Sequence, residues 1–323
     1  MKGTTKICLI IAAALILTGC VIFGGVMTAL KWDFLELSTS KYETNSYVIN
    51  ESFKDIRIVT DTADVELVPS EAAESSVTCY GQKGLNHSVK VKDGALVIEL
   101  EDTRKWYEHI GINFGSPKIT VYIPKGQYGA FSLKATTGDV LLPKDFSFAC
   151  IDISENTGDV TSYASASADV KIKTTTGDIC IENVSAGSIE LSVSTGDVKA
   201  SGVACGGDFK VTVSSGTAVI TDVACGSFIS DGDTGDITMN SVIATGKLDI
   251  ERDTGDVKLD GCDASEIFIE TDTGDVEGTL LTDKVFITET DTGSVRVPSS
   301  VTGGRCEITT DTGDIIIKIA EKK

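Results

Sequence analysis

The sequence predicts an all-β fold: a parallel β-solenoid (β-helix) of about ten rungs of 19–20 residues, expected to be right-handed, preceded by one transmembrane helix. Three observations predict it. A turn motif returns at a fixed period, apolar residues alternate around every copy, and one long uncharged segment opens the chain.

The turn motif is xTGD(V/I), with its glycine at 138, 158, 177, 196, 216, 235, 255, 274, 293 and 313. Every spacing is 19 or 20 residues. Seven residues before each glycine the side chain is apolar, from Phe131 and Ile151 to Phe286 and Cys306; two residues after it the side chain is apolar again, from Val140 to Ile315. Positions five before, broken by Ser230 and Thr288, and four after, with Leu142, Ile181, Ile220, Met239, Leu259, Val297 and Ile317 among others, repeat the theme. Polar residues such as Lys171, Glu190 and Lys258 fall between, which describes half-buried strands. A unit this short cannot close a core alone. Successive units must therefore stack, each pairing in parallel with the one before it. An antiparallel sandwich would leave the constant phase of the motif unexplained.

Within each turn the glycine supplies a backbone conformation with positive φ, free of a Cβ penalty. The Thr before it is expected to share the inward face by alternation. The Asp after it suits a turn in which the carboxylate accepts backbone N–H groups.

Residues 37–125 are expected to form an irregular β region that caps the rod, and 126–323 the regular solenoid. The stretch DIRIVTDTADVELVPS (Asp55 to Ser70) holds a degenerate repeat with Ala63 in the glycine place. HSVKVKDGALVIELE reads as a hairpin and KITVYIPKG as a strand, while the insertion KWYEHIGINFG gathers Trp106, Tyr107, His109 and Phe114 into an expected lip over the solenoid.

Residues 1–36 form the expected signal anchor. From Ile7 to Leu30 no residue is charged, and about 20 apolar residues span a bilayer as a helix. Lys2 and Lys6 precede the span, which places the N-terminus inside and the rest outside the cell as a single-pass membrane protein. The LTGC segment resembles a bacterial lipobox with Cys20 as the lipidated residue, although the apolar run continues ten residues past it.

Charge excludes one class of partner. The chain carries 28 basic and 48 acidic residues, and residues 1–31 hold three of the lysines and no acid, so the remainder has a net charge of −23. Such a field repels nucleic acid and anionic lipid and attracts cations.

The stretch TDTGSV (Thr290 to Val295) resembles the active-site signature of aspartic proteases. A dyad needs two such loops face to face, whereas a solenoid sets its copies side by side along one edge. Asp233, Asp253, Asp272, Asp291 and Asp311 are accordingly expected as a ladder on five successive rungs. Four of them, Asp233, Asp253, Asp272 and Asp311, paired with Asp236, Asp256, Asp275 and Asp314, offer candidate Ca²⁺ ligands, against the alternative that the carboxylates cap turns and keep the surface soluble. No other cofactor and no catalytic residue is expected.

Of nine cysteines, Cys8 and Cys20 lie in the anchor. The other seven are expected as small buried thiols, with Cys205 and Cys225 at one phase of neighbouring rungs and so within reach of a disulfide. Only His87 and His109 are available to a zinc site, and no C-x-x-C occurs.

One N-terminal span, the strand ITVYIPKGQYGAFSLKATTGDVLL (Ile119 to Leu142) and the serial TGDV turns together resemble the "putative-adhesin" family of bacterial β-strand-repeat proteins. The resemblance implies a β-helix at the cell surface and supplies no catalytic residues. Two functions are expected from it: a non-enzymatic surface rod binding a protein or glycan, or an accessory or sensing component of an envelope-stress system acting with membrane-protein partners. A carbohydrate-cleaving β-helix would need an aromatic-lined groove with carboxylates, which the outward positions do not suggest.

Overall fold

A computed structural model of the chain describes residues 3–33, 36, 41–72, 74–104 and 115–320. Tandem repetition dictates its architecture. Strands that precede each turn form a 13-stranded sheet, here the leading sheet, and strands that follow it form a 15-stranded trailing sheet. Equivalent residues stack in register: Ile151 pairs with Phe131 on one side and Val170 on the other, and Val160 with Val140 and Ile179. At about 4.8 Å per level, thirteen levels give a rod roughly 58 Å long. The inward apolar columns make one continuous core in which Phe131, Leu133, Ile179, Phe209 and Ile267 are fully buried.

Each regular rung turns at three places. The first is the TGD glycine. The second lies six residues later, where Asn183, Gly202, Asp222, Ser241 and Gly261 all take left-handed φ between 52° and 63°. Asn, Asp and Gly are the residues that tolerate this conformation best. The third lies nine residues before the glycine, at Gly129, Ala149, Ala168, Gly187, Gly207, Gly226, Gly246 and Ser265, where each amide donates to the carbonyl of the level below.

The Thr before each glycine faces outward, against expectation. Thr137, Thr157 and Thr176 are exposed, and the inward column continues instead at the residue three before the glycine. The strand bends there: Glu155 pairs with Thr174 and Thr157 with Thr176, with Asn156 between them outside the ladder.

Both ends of the rod depart from chain order. At the N-terminal end, Asp55–Val59 and Asp64–Ser70 stack directly under Ala130–Thr137 and Val140–Leu142, so the degenerate TDTADV repeat forms the level next to the first TGD rung. Beneath it lie Ala95–Asp102 and Lys118–Pro124. In the segment joining these two strands, the aromatic stretch at 105–114, expected as a lip over the solenoid, lies outside the described residues. Antiparallel strands finish this end: Leu85–Lys92 in a hairpin with Ala95–Asp102, and Ser75–Gln82 followed by Tyr42–Ile49.

At the other end the last two rungs are exchanged. The Gly313 rung (Gly304–Thr312 and Ile315–Ile319) lies between the Gly274 and Gly293 rungs, so the ninth copy in sequence is the last level in space. The expected pairing of each rung with its predecessor fails here, and the aspartate ladder runs 233, 253, 272, 311, 291. Two glycines permit the exchange. A Cβ at Gly303 would lie 1.8 Å from the Asp283 carbonyl oxygen, and one at Gly304 would lie 1.9 Å from that of Ser265. A buried ion pair, Lys284 with Asp263, ties the chain down where it skips a level, and Lys284 Nζ also donates to Thr282 Oγ1 at 2.7 Å.

Before the rod, one helix runs from Gly3 to Ala29, and its Thr5–Ala29 stretch is long and apolar enough to cross a membrane. Cys20 is an exposed residue within that uninterrupted helix.

Candidate functional site: the turn corner and the distal rung

The TGD corner is built from backbone. A Cβ at Gly158 would lie 2.1 Å from the Gly138 carbonyl oxygen, and at Gly177 2.1 Å from that of Gly158. Stacked turns leave no space for any side chain.

The Asp after each glycine explains how like charges stack. The Oδ1 of Asp139 accepts the backbone N–H of Asp159 at 3.0 Å, that of Asp159 accepts Asp178 N–H at 2.8 Å, and that of Asp178 accepts Asp197 N–H at 2.8 Å. The series resumes at Asp236, Asp256, Asp275 and Asp314, ending on Ser294 N–H at 2.8 Å. Each carboxylate is thus held by the amide of the next level, a charge-assisted bond about twice as strong as a neutral one. The outer column, Asp233, Asp253, Asp272, Asp311 and Asp291, is exposed. Among the described residues no three His, Cys, Asp or Glu side chains converge in a group able to hold a metal ion. The two aspartate columns that pair as candidate calcium ligands in the sequence differ in setting: one accepts turn amides, the other faces solvent. Asp291 stands on the terminal level with no second DTG loop facing it.

Three residues before the glycine lies an inward column that the sequence reading missed. Here Thr174, Thr271, Thr310 and Thr290 donate from Oγ1 to the glycine carbonyl of the adjacent level, at 3.3, 3.4, 3.2 and 3.0 Å. Two members of this column are ionisable. Glu155 is 2 % exposed with both carboxylate oxygens unpaired, and burial, reinforced by Asp139 and Asp159, pushes its pKa up to about 7. Arg252 is 2 % exposed, sits over Gly232, and donates from Nη2 to Ser230 Oγ at 2.8 Å. Burial lowers its pKa. Ser230, one of the two polar breaks in the column five residues before the glycine, is therefore the partner of a buried guanidinium.

The other break, Thr288, marks the end of the rod. On the Gly293 rung the inward positions lose their cover: Phe286 is half-buried and Val295 is 41 % exposed, whereas Cys306 and Ile315 one level below are fully buried. The strand Lys284–Thr292 has one edge paired to Gly304–Thr312 and, among the described residues, the other edge free.

The cysteines are all free thiols; of the seven expected to be buried, Cys79, Cys205, Cys225, Cys262 and Cys306 are, while Cys150 and Cys180 on the wall of the solenoid are only half-buried. Cys205 and Cys225 occupy neighbouring levels, one residue beyond the Ala204–Ala224 pair, and burial pushes the Cys225 thiol up to about 12. His87 is buried against Thr60, with Nε2 3.0 Å from the threonine Oγ1. His109 lies outside the described residues.

Glycine corners, carboxylate–amide ladders and an aliphatic interior define a parallel β-solenoid. The chain belongs to the Toastrack DUF4097 family, which it matches over residues 53–217 and 204–323. No curated protein matches it. Among solved structures it is similar to a "putative adhesin" from Bacteroides fragilis (16% identity, 86% of this chain and 97% of that one, TM-score 0.45). It is also similar to a "putative lipid binding protein" from Parabacteroides distasonis (17%, 87% and 98%, TM-score 0.42) and a "putative adhesin" from Parabacteroides merdae (12%, 87% and 97%, TM-score 0.44).

Proposed function

We propose that this chain is a non-enzymatic, membrane-anchored rod of the cell surface, fixed at its N-terminal end and binding a protein or glycan through the solenoid. The observation that carries this reading is the order of parts: an apolar helix, Thr5–Ala29, feeds into the antiparallel strands that finish one end of a rigid stack, and the Gly293 rung lies at the other. A helix of that length is a stable anchor, and a solenoid offers long flat faces for recognition. The carboxyl with a pKa suited to acid–base work, Glu155, is sealed inside the core beyond the reach of a substrate. The outer faces hold open grooves lined by paired charges such as Lys118–Glu66 at 2.6 Å.

Protease treatment of intact cells tests the reading. Loss of the rod with survival of a membrane-embedded N-terminal fragment is expected; full protection in intact cells and digestion only after lysis would overturn it. Deletion that abolishes a response to envelope stress, with no surface bound by the chain, would favour the accessory role.

A further inference from the structure

Every level of the leading sheet pairs on both edges except the two at its ends, and these two ends are finished differently. At the anchored end the edge strand Leu85–Lys92 carries Lys90 and Lys92, both exposed. Lysines on an edge discourage further strand addition. At the distal end the edge strand Lys284–Thr292 has no charge from Val285 to Thr288, and Lys284, the charge that precedes them, is turned inward onto Asp263. Val285 and Ile287 on its outer side are 37 % and 49 % exposed. Nine large apolar residues outside the helix are exposed among the described residues, and five of them (Leu281, Val285, Ile287, Val295 and Val301) belong to this last rung and its connections. An unpaired, uncharged edge beside open apolar positions is the geometry that accepts an added strand.

Charge selects the occupant. Beside the turn, the distal strand presents Glu289 and Asp291, with Asp311 one level below, all at the end of a rod whose net charge beyond residue 31 is −23. A second copy would bring the same field and the same acidic corner to the contact. We propose that the free edge of Lys284–Thr292 takes an extended segment of a partner polypeptide as one more strand of the leading sheet. The segment is apolar at alternate positions, so as to cover Phe286 and its neighbours, and basic at the end that lies beside Glu289 and Asp291. The inference deepens the surface-rod reading and rests on it for where the partner is met.

The test uses full-length protein in detergent micelles and a labelled synthetic peptide of alternating Ile and Thr ending in two lysines, with binding read by fluorescence anisotropy. Saturable binding is expected. It should weaken at least about tenfold when alternate peptide amides are N-methylated, when the lysines are replaced by glutamates, and in Ile287→Lys protein whose melting midpoint is unchanged. The N-methylated peptide leaves the protein untouched, so its result stands even where Ile287→Lys disturbs the rung. Equal binding of the N-methylated or the acidic peptide overturns the proposal, as does absence of binding. A wild-type dimer that Ile287→Lys converts to monomer also overturns it, assigning the edge to a second copy. Failed peptide binding with the rod still protease-accessible on cells sinks this inference alone; peptide binding with a protected rod sinks the surface reading alone.

Discussion

The carboxylate of Asp275 accepts the backbone N–H of Asp314 at 2.8 Å, although 39 residues separate them in the chain. Every other link of this ladder within the regular repeats joins residues 19 or 20 apart. The long link exists because the Gly313 rung occupies the level that chain order would assign to the Gly293 rung.

Cross-linking tests that exchange directly. Thr273 and Thr312 are exposed and in register on adjacent levels, while Thr292 lies one level further away. Adjacent levels place Cα atoms about 5 Å apart, within disulfide range, and alternate levels about 10 Å apart, outside it. Thr273→Cys with Thr312→Cys is expected to form a bridge under mild oxidation, and Thr273→Cys with Thr292→Cys is not, as read by peptide mass spectrometry. The reverse outcome would restore sequential order.

The corner glycines separate steric from conformational cost. Gly177 has φ +133° and a Cβ there would meet the Gly158 carbonyl oxygen at 2.1 Å, whereas Gly94 has φ +78° with open space around it. Gly94→Ala is expected to cost about 1 kcal/mol, the penalty of left-handed backbone alone. Gly177→Ala adds a clash with backbone that cannot move without shifting the whole stack, and about 3–4 kcal/mol is expected. Denaturant unfolding of both variants checks the difference; equal losses would show that the stacked corner relaxes.

Most of this fold is legible in sequence because repetition multiplies weak signals. One alternating octad could be many things, but apolar residues at the same phase from Phe131 to Ile315 leave few alternatives to a stacked core. What escaped is whatever depends on a level's neighbours. The exchange of the last two rungs leaves the 19 and 20 residue spacing intact, so the period carries no trace of it. Its signs are local: Thr288 in an apolar column, Ser294 in the aspartate column, and the adjacent glycines 303 and 304. The outward Thr of the turn was misread because alternation was extended through a bend that resets it. The column containing Glu155 and Arg252 stayed hidden for the same reason.

The aspartate column is predicted to act through its acceptor atoms. Asp178 Oδ1 holds the N–H of Asp197 in a stack of like charges. Asp178→Asn keeps an acceptor oxygen and removes one charge from the column, so stability within about 0.5 kcal/mol of wild type is expected. Asp178→Ala strands the amide of the next level and should cost about 1–2 kcal/mol. Thermal unfolding at low and high salt discriminates. A large loss in the Asn variant that salt reproduces in wild type would mean that the negative charge itself, through a bound cation, holds the corner.

Glu155 makes the rod's stability depend on pH. Its carboxyl ionises near the ordinary value of 4.5 in the unfolded chain and at about 7 in the folded one, because both oxygens are buried without a partner. Between these values the folded chain binds more protons than the unfolded one, so stability falls as pH rises. The contribution is fully present below pH 4.5 and lost above about pH 7, a loss of about 3 kcal/mol from this group. In the protonated state the carboxyl is a donor, as are the hydroxyls of Thr174 and Thr271 in the same column, which satisfy glycine carbonyls. Glu155→Thr restores that donor without the titration. The variant is expected to unfold at higher denaturant than wild type at pH 8 and to lose most of the advantage at pH 5, with the difference tracing a single ionisation between them. A variant no more stable at pH 8 would show that the Glu155 carboxylate finds water or a cation inside the corner.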